Sequence, residues 1–136
     1  VARAAAMAVE AGARAVPLEV GAPFHCSLMD ALGEQFAAEL DRYPFTDPTI
    51  DIVANVSGDY VRTAADVTDA LRRQVAGAVR WTDTLRRLDA DGTGVFVEVG
   101  PGRVLSGMVM KTLPDATTHA TAQVRRLEKA VEALTG

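Results

Sequence analysis

His25 is the side chain in this sequence best placed to move protons. It sits in Gly21-Ala22-Pro23-Phe24-His25-Cys26, where an apolar stretch gives way to a helical pattern. Imidazole is the group whose ordinary pKa matches proton transfer near neutral pH. The competing reading is a packed, hydrogen-bonded core histidine. His119, beside Thr117 and Thr118, reads as exposed and without a role. A base needs something to activate, and no G-x-S-x-G nucleophile elbow occurs here; Ser27, Ser57 and Ser106 lack the glycine context that exposes a hydroxyl on a strained turn. Cys26 adjoins His25, but sequence neighbours usually point apart, and a small buried residue competes with a nucleophile or a Cys26–His25 thiol hydrolase. From the residues alone, His25 is a base without a partner.

Other chemistry is weakly signalled. Gly100-Pro101-Gly102 departs from the phosphate-binding pattern G-x-x-x-x-G-K-[ST] and reads as a structural turn. Asp66, Asp69, Asp83, Asp89 and Asp91 are scattered without ligand spacing, so no metal is expected. A single cysteine excludes a disulfide within the chain and speaks against a cysteine zinc site, in keeping with a cytoplasmic location.

The elements that must position His25 read as an alternation of helices and strands. Residues 2–11 are alanine-rich and helical, with Gly12 as the stop. No N-cap residue precedes them and the first residue is Val1, the pattern of a chain entered partway. Ala15 to Val20 read as a strand, irregular or at an edge because of Pro17. A helix from about Ser27 to Arg42 carries an apolar stripe of Leu28, Leu32, Phe36 and Leu40. After a proline-broken loop come a strand at Ile50–Val56 and a turn at Ser57-Gly58-Asp59. A helix over about 64–77 follows, capped by Thr63, with Val67, Leu71 and Val75 on one face and Gly77 interrupting. Then come a helix from Trp81 to Asp89, the β-branched strand Val95–Val99, a helix from Val104 to Thr112, a strand at Thr117–Ala122 and a helix from Val124 to Leu134. This predicts an α/β fold with a largely parallel sheet, whose active residues lie in loops at the carboxyl ends of strands.

With 136 residues, 49% hydrophobic and 24% charged, the chain has the bulk of one ordinary domain. A formal net charge of -4 argues against nucleic-acid or membrane-surface partners, and no apolar run reaches the ~20 residues of a membrane helix.

Four stretches, in order and at their spacing, are similar to one family. They are Ala15 to Met29 (AVPLEVGAPFHCSLM), Ile52 to Ser57 (IVANVS), Arg73-Gln74 with Val79 to Thr82 (VRWT), and Glu98 to Gly107 (EVGPGRVLSG). Together they resemble the malonyl-CoA:acyl carrier protein transacylases of fatty-acid synthesis and the related acyltransferase domains of polyketide synthases. The resemblance covers nearly the whole chain but somewhat under half of such an enzyme, its C-terminal portion.

The resemblance implies an incomplete part of an α/β-hydrolase-like acyltransferase core. Residues 1–20 would end a small inserted subdomain, and residues 21–136 would form the C-terminal part of the core. It implies ping-pong S-malonyl transfer through a serine of G-H-S-x-G supplied by the N-terminal portion, with His25 as general acid and base. Gln74 matches the position whose backbone carbonyl orients that histidine, against the reading of a polar helix-surface residue. A neutral carbonyl suffices because the leaving thiol, of pKa ~8.5, needs less help than an amine. Phe24 matches the position where polyketide domains vary with extender unit; a large aromatic there goes with malonyl over methylmalonyl, ordinary core packing being the alternative.

The implied partners are malonyl-CoA, acyl carrier protein and the chain's own N-terminal portion. The substrates carry CoA and 4'-phosphopantetheine, and no bound cofactor is implied. Arg72, Arg73, Arg80, Arg86 and Arg87 read as solvated helix faces, and one or two of them, or Lys111, are candidates to meet the acidic carrier protein. The competing class is a non-catalytic module that binds acyl carrier protein.

Overall fold

The computed structural model describes every residue except Leu18 and Gly136. Helix α1 (Ala2–Glu10) stops where the sequence places Gly12, which takes φ +79°. The Gly12 amide donates to the Val9 carbonyl (2.9 Å) and the Ala13 amide to the Ala8 carbonyl (2.9 Å), so the last turn closes on itself.

The stretch read as a strand over 15–20 is not one. Leu18 lies outside the described residues, and its neighbours in that stretch belong to no strand. Pro17 has no N–H to give a ladder, and neither two-stranded sheet includes this stretch. His25 therefore follows irregular chain rather than a strand end.

A 3-10 turn (Ser27–Met29) leads into α2 (Asp30–Leu40), two elements where one helix was expected. Of its apolar stripe only Leu40 is buried; Leu28, Leu32 and Phe36 stand in the open. Periodicity reports which residues share a face, not what covers it.

Strand β1 (Ile52–Ala54) turns through Gly58 (φ +70°) into β2 (Asp59–Val61), an antiparallel pair with Val53 opposite Tyr60. The second strand was not read from the sequence. A Cβ on Gly58 would lie 2.9 Å from the Asp83 Cβ, so the turn sits directly on the later helix that carries Asp83 and Arg87. Tyr60 ties β2 to that helix: the Arg62 and Arg87 guanidinium carbons lie 4.7 and 5.1 Å from its ring centroid. The Asp91 side chain beside its hydroxyl raises the Tyr60 pKa, and the hydroxyl in turn lowers that of Asp91.

Helix α3 (Ala64–Gln74) opens with a reciprocal cap. The Asp66 amide donates to Thr63 Oγ1 and the Thr63 amide to Asp66 Oδ2, both at 3.1 Å. The Thr63 side chain first, then the Arg62 and Thr63 amides that donate to Oδ2, hold the Asp66 carboxyl below its usual range. Ala70 of α3 joins Val56 and Val61 in a small core, with Ala54 and Val67 packed against it. Helix α4 (Trp81–Ala90) contributes Leu85, which is fully buried. Burying a leucine side chain contributes about 1.5–3 kcal/mol.

Strand β3 (Val95–Glu98), helix α5 (Val104–Thr112), strand β4 (Thr117–Ala120) and helix α6 (Val124–Thr135) follow as the sequence reads them. β3 and β4 pair in parallel, with Val97 opposite His119. The helix between them makes this a β-α-β unit. The architecture is α/β, but half of its strand pairing, the β1–β2 hairpin, is antiparallel.

Candidate functional site

The backbone around His25 folds into a tight knot that pushes the imidazole outward. The Phe24 amide donates to the Ala22 carbonyl (2.9 Å), and the Met29 amide to the Cys26 carbonyl (2.9 Å). Between them His25 adopts φ +59°, the one left-handed non-glycine residue among the described residues. Such a conformation costs of order 1–3 kcal/mol and persists where surrounding structure fixes it. Cys26 is extended and starts the 3-10 turn, whose Met29 is buried and anchors the knot.

The ring is clamped from the far side of the sequence. His25 Nδ1 lies 3.1 Å from the Gly77 carbonyl oxygen and 3.3 Å from that of Gln74. Carbonyl oxygens only accept, so Nδ1 carries the hydrogen and Nε2 keeps its lone pair. His25 is exposed, and Nε2 makes no hydrogen bond among the described residues. The alternative of a sealed core histidine does not describe this ring.

The clamp comes from the end of α3. The last carbonyls of a helix have no intrahelical partner, which leaves that of Gln74 free to accept. The Gly77 amide donates to the Arg73 carbonyl (2.9 Å) and the Gln74 side-chain amide reaches the Gly77 carbonyl (3.4 Å), so the turn after α3 is itself braced. Only glycine fits there: a Cβ on Gly77 would fall 2.5 Å from the Arg73 oxygen and 2.7 Å from Val56 Cγ2. The Arg80 amide donates to the Asn55 carbonyl (2.7 Å), tying this turn to the end of β1. The sequence marks Gly77 only as a helix interruption; its carbonyl's role depends on a contact no local pattern encodes.

Phe24 stands beside the clamp rather than in a core. It is 57% exposed, with its ring centroid 6.4 Å from that of His25. The Cys26 thiol donates to the Pro23 carbonyl (3.1 Å), not to the imidazole. No cluster of three or more His, Cys, Asp or Glu side chains suited to a metal occurs among the described residues. His119 is half-buried in β4, not exposed as the sequence reading has it, because a parallel partner strand and α6 lie against it.

Most of the helix-face arginines are paired rather than singly solvated. Arg72 meets Asp41, Arg73 meets Asp69 (3.0 Å), Arg80 meets Asp83 (3.5 Å) and Arg87 meets Asp91 (3.1 Å). These are exposed pairs, worth about 0–1 kcal/mol each.

Glu98, at the end of β3, was not singled out from the sequence. Its carboxylate accepts from the Leu105 amide (3.1 Å), the Ser106 amide (2.8 Å) and the Ser106 hydroxyl (2.6 Å). These bonds, the Ser106 hydroxyl's foremost, lower its pKa. The Gly100-Pro101-Gly102 turn, with φ +135° and +90° at its glycines, swings α5 back so that its first amides meet this carboxylate. The turn is structural.

No protein-family model matches the chain. Malonyl CoA-acyl carrier protein transacylase of Bacillus subtilis (strain 168) is 37% identical over 132 residues, 96% of this chain and 42% of that protein. Its Haemophilus influenzae counterpart is 42% identical over 114 residues, 83% of this chain and 36% of that protein. Among solved structures, a malonyl-transacylase in complex with a type II PKS acyl-carrier protein superposes with TM-score 0.91 at 34% identity, covering 97% of this chain and 43% of that one. A malonyl CoA-acyl carrier protein transacylase from Clostridium perfringens gives TM-score 0.90 at 29% identity, covering 98% and 42%.

The fold with its braced histidine is thus that of an α/β acyltransferase core. Sequence and structure together place the chain with the malonyl CoA-acyl carrier protein transacylases, matching their C-terminal part. The chain spans about 42% of the length of the Bacillus subtilis relative.

Proposed function

We propose that this chain supplies the acid–base half of an [acyl-carrier-protein] S-malonyltransferase site. The observation that carries the reading is the exposed His25 ring with Nδ1–H on two carbonyls and Nε2 open. Nε2 takes the proton of a serine outside this chain as that serine attacks the thioester of malonyl-CoA, and returns it to the departing CoA thiolate. A second cycle takes the proton of the phosphopantetheine thiol of acyl carrier protein and returns it to the serine. The Gln74 and Gly77 carbonyls fix the tautomer, and the partial negative charge of the α3 carboxyl end faces the ring while it is cationic.

The serine lies in an N-terminal portion, with residues 1–20 closing its small subdomain. The uncovered apolar side chains of the 3-10 turn, α2 and β3, among them Leu28, Leu32, Val95 and Val97, support a covering partner of that kind.

Replacing His25 by Ala in the intact protein tests the reading. Malonyl transfer from malonyl-CoA to holo carrier protein is expected to fall by about two to four orders of magnitude. Activity within a few-fold of the parent removes His25 from the mechanism, and a parent protein with no transfer activity favours a non-catalytic binding module. The likeness to a transacylase bound to a type II PKS acyl-carrier protein supports a second reading, in which the recipient is a polyketide carrier. Rates with carrier proteins of the two pathways separate them.

A further inference from the structure

A cavity of about 230 Å³ that shares no residue with the His25 clamp gathers Arg103, Arg126, Lys129, His119 and Ser106 on its walls. Arg103 immediately precedes α5, and Arg126 and Lys129 stand three residues apart on the first turns of α6. No carboxylate lines it. Six of the twelve arginines each meet a carboxylate; Arg103, Arg126 and Lys129, like Arg3, Arg14, Arg86 and Arg125 elsewhere, make no ion pair among the described residues. That includes Glu128 and Glu132, the acids closest in sequence on α6. Glu98 touches the cavity only through Ser106, and its oxygens accept from the Leu105 and Ser106 amides and the Ser106 hydroxyl.

Arg126 is the telling member, because it is half-buried. A guanidinium stays charged at any ordinary pH, so partial burial without a counter-charge is unfavourable unless an anion comes to it. The walls come from β4 and from the starts of the helices that follow β3 and β4, the side of a parallel α/β unit where ligands bind.

We propose that this cavity is a binding pocket for a phosphate-class oxyanion. Two planar guanidinium forks and one ammonium match the several oxygens and double charge of a phosphate group. A cavity of about 230 Å³ takes a phosphate group with a small attached fragment. Free phosphate and the phosphate of a nucleotide offer the same chemistry.

Calorimetric titration of the intact protein at low ionic strength, with inorganic phosphate and separately with adenosine 3',5'-bisphosphate, tests this. Both ligands binding alike assigns the pocket to the phosphate group itself, and tighter binding of the bisphosphate assigns it to a nucleotide; either supports the proposal. The R126Q/K129Q double variant is expected to weaken binding tenfold or more, and R103Q severalfold, with melting curves confirming that each folds. Unchanged affinity in both variants, no binding of either ligand, or equal competition by chloride at matched ionic strength overturns it. So does a loss of affinity confined to an acidic carrier protein.

Discussion

His25 and Gly77 stand fifty-two residues apart in the chain and 3.1 Å apart in space, imidazole Nδ1 to backbone carbonyl oxygen. Gly77 does two jobs at once: it closes the turn after α3 where no Cβ fits, and it offers the oxygen that orients the ring. Gly77→Ala is expected to cost about 1–3 kcal/mol of stability, because the new methyl meets backbone on one side and Val56 on the other. Malonyl transfer should fall with it as the carbonyl shifts. Denaturant midpoints and rates on the intact protein check this; a variant with parental midpoint and rate rules out the close approach.

Phe24 presents its ring to the neighbourhood of His25 and takes little part in the core. If it shapes the acyl pocket, Phe24→Ala raises the ratio of methylmalonyl to malonyl transfer by roughly tenfold, the scale of 1–3 kcal/mol for one methyl. Melting temperature should hardly move. An unchanged ratio of the two kcat/KM values leaves Phe24 without a part in selection.

Glu98 ties β3 to the first turn of α5, and its donors hold its pKa down. A carboxylate depressed in the folded state stabilises the fold above its unfolded pKa, near pH 4. That contribution disappears as pH falls through the lower folded value. Glu98→Gln should therefore lower the urea midpoint at pH 7, and parent and variant should converge toward pH 3. The same gap at both pH values would show that the charge plays no part.

Thr63 and Asp66 exchange two bonds at the start of α3, the helix whose far end holds His25. Thr63→Ala is expected to lose about 1 kcal/mol, and Thr63→Ser to restore most of it. Equal losses for the two variants would assign the effect to the missing methyl instead of the hydroxyl.

What the sequence makes legible is local. Gly12 marks the end of α1, and the run Val95–Glu98 between glycines marks β3, because backbone freedom and β-branching act within a few residues. Strand β2 escapes such a reading: three residues with charged neighbours carry no alternation, and Ser57-Gly58-Asp59 reads as an end when it is a pivot. The stretch 15–20 errs the other way, apolar enough for a strand but with Pro17 and no strand paired to it among the described residues. Leu28, Leu32 and Phe36 share a face as the spacing says, yet that face is open. At the site, residue type and resemblance single out His25, Gln74 and Phe24. Gly77 and Glu98 act through contacts 52 and 8 residues away, and no spacing rule reports those.

The left-handed backbone at His25 also decides which replacements are informative there. Asparagine tolerates that conformation better than other non-glycine residues, so His25→Asn removes the imidazole while asking little of the main chain. A β-branched substitute such as Val would instead force the knot between Ala22 and Met29 to unwind, and a dead enzyme would then report a displaced loop as readily as a missing base.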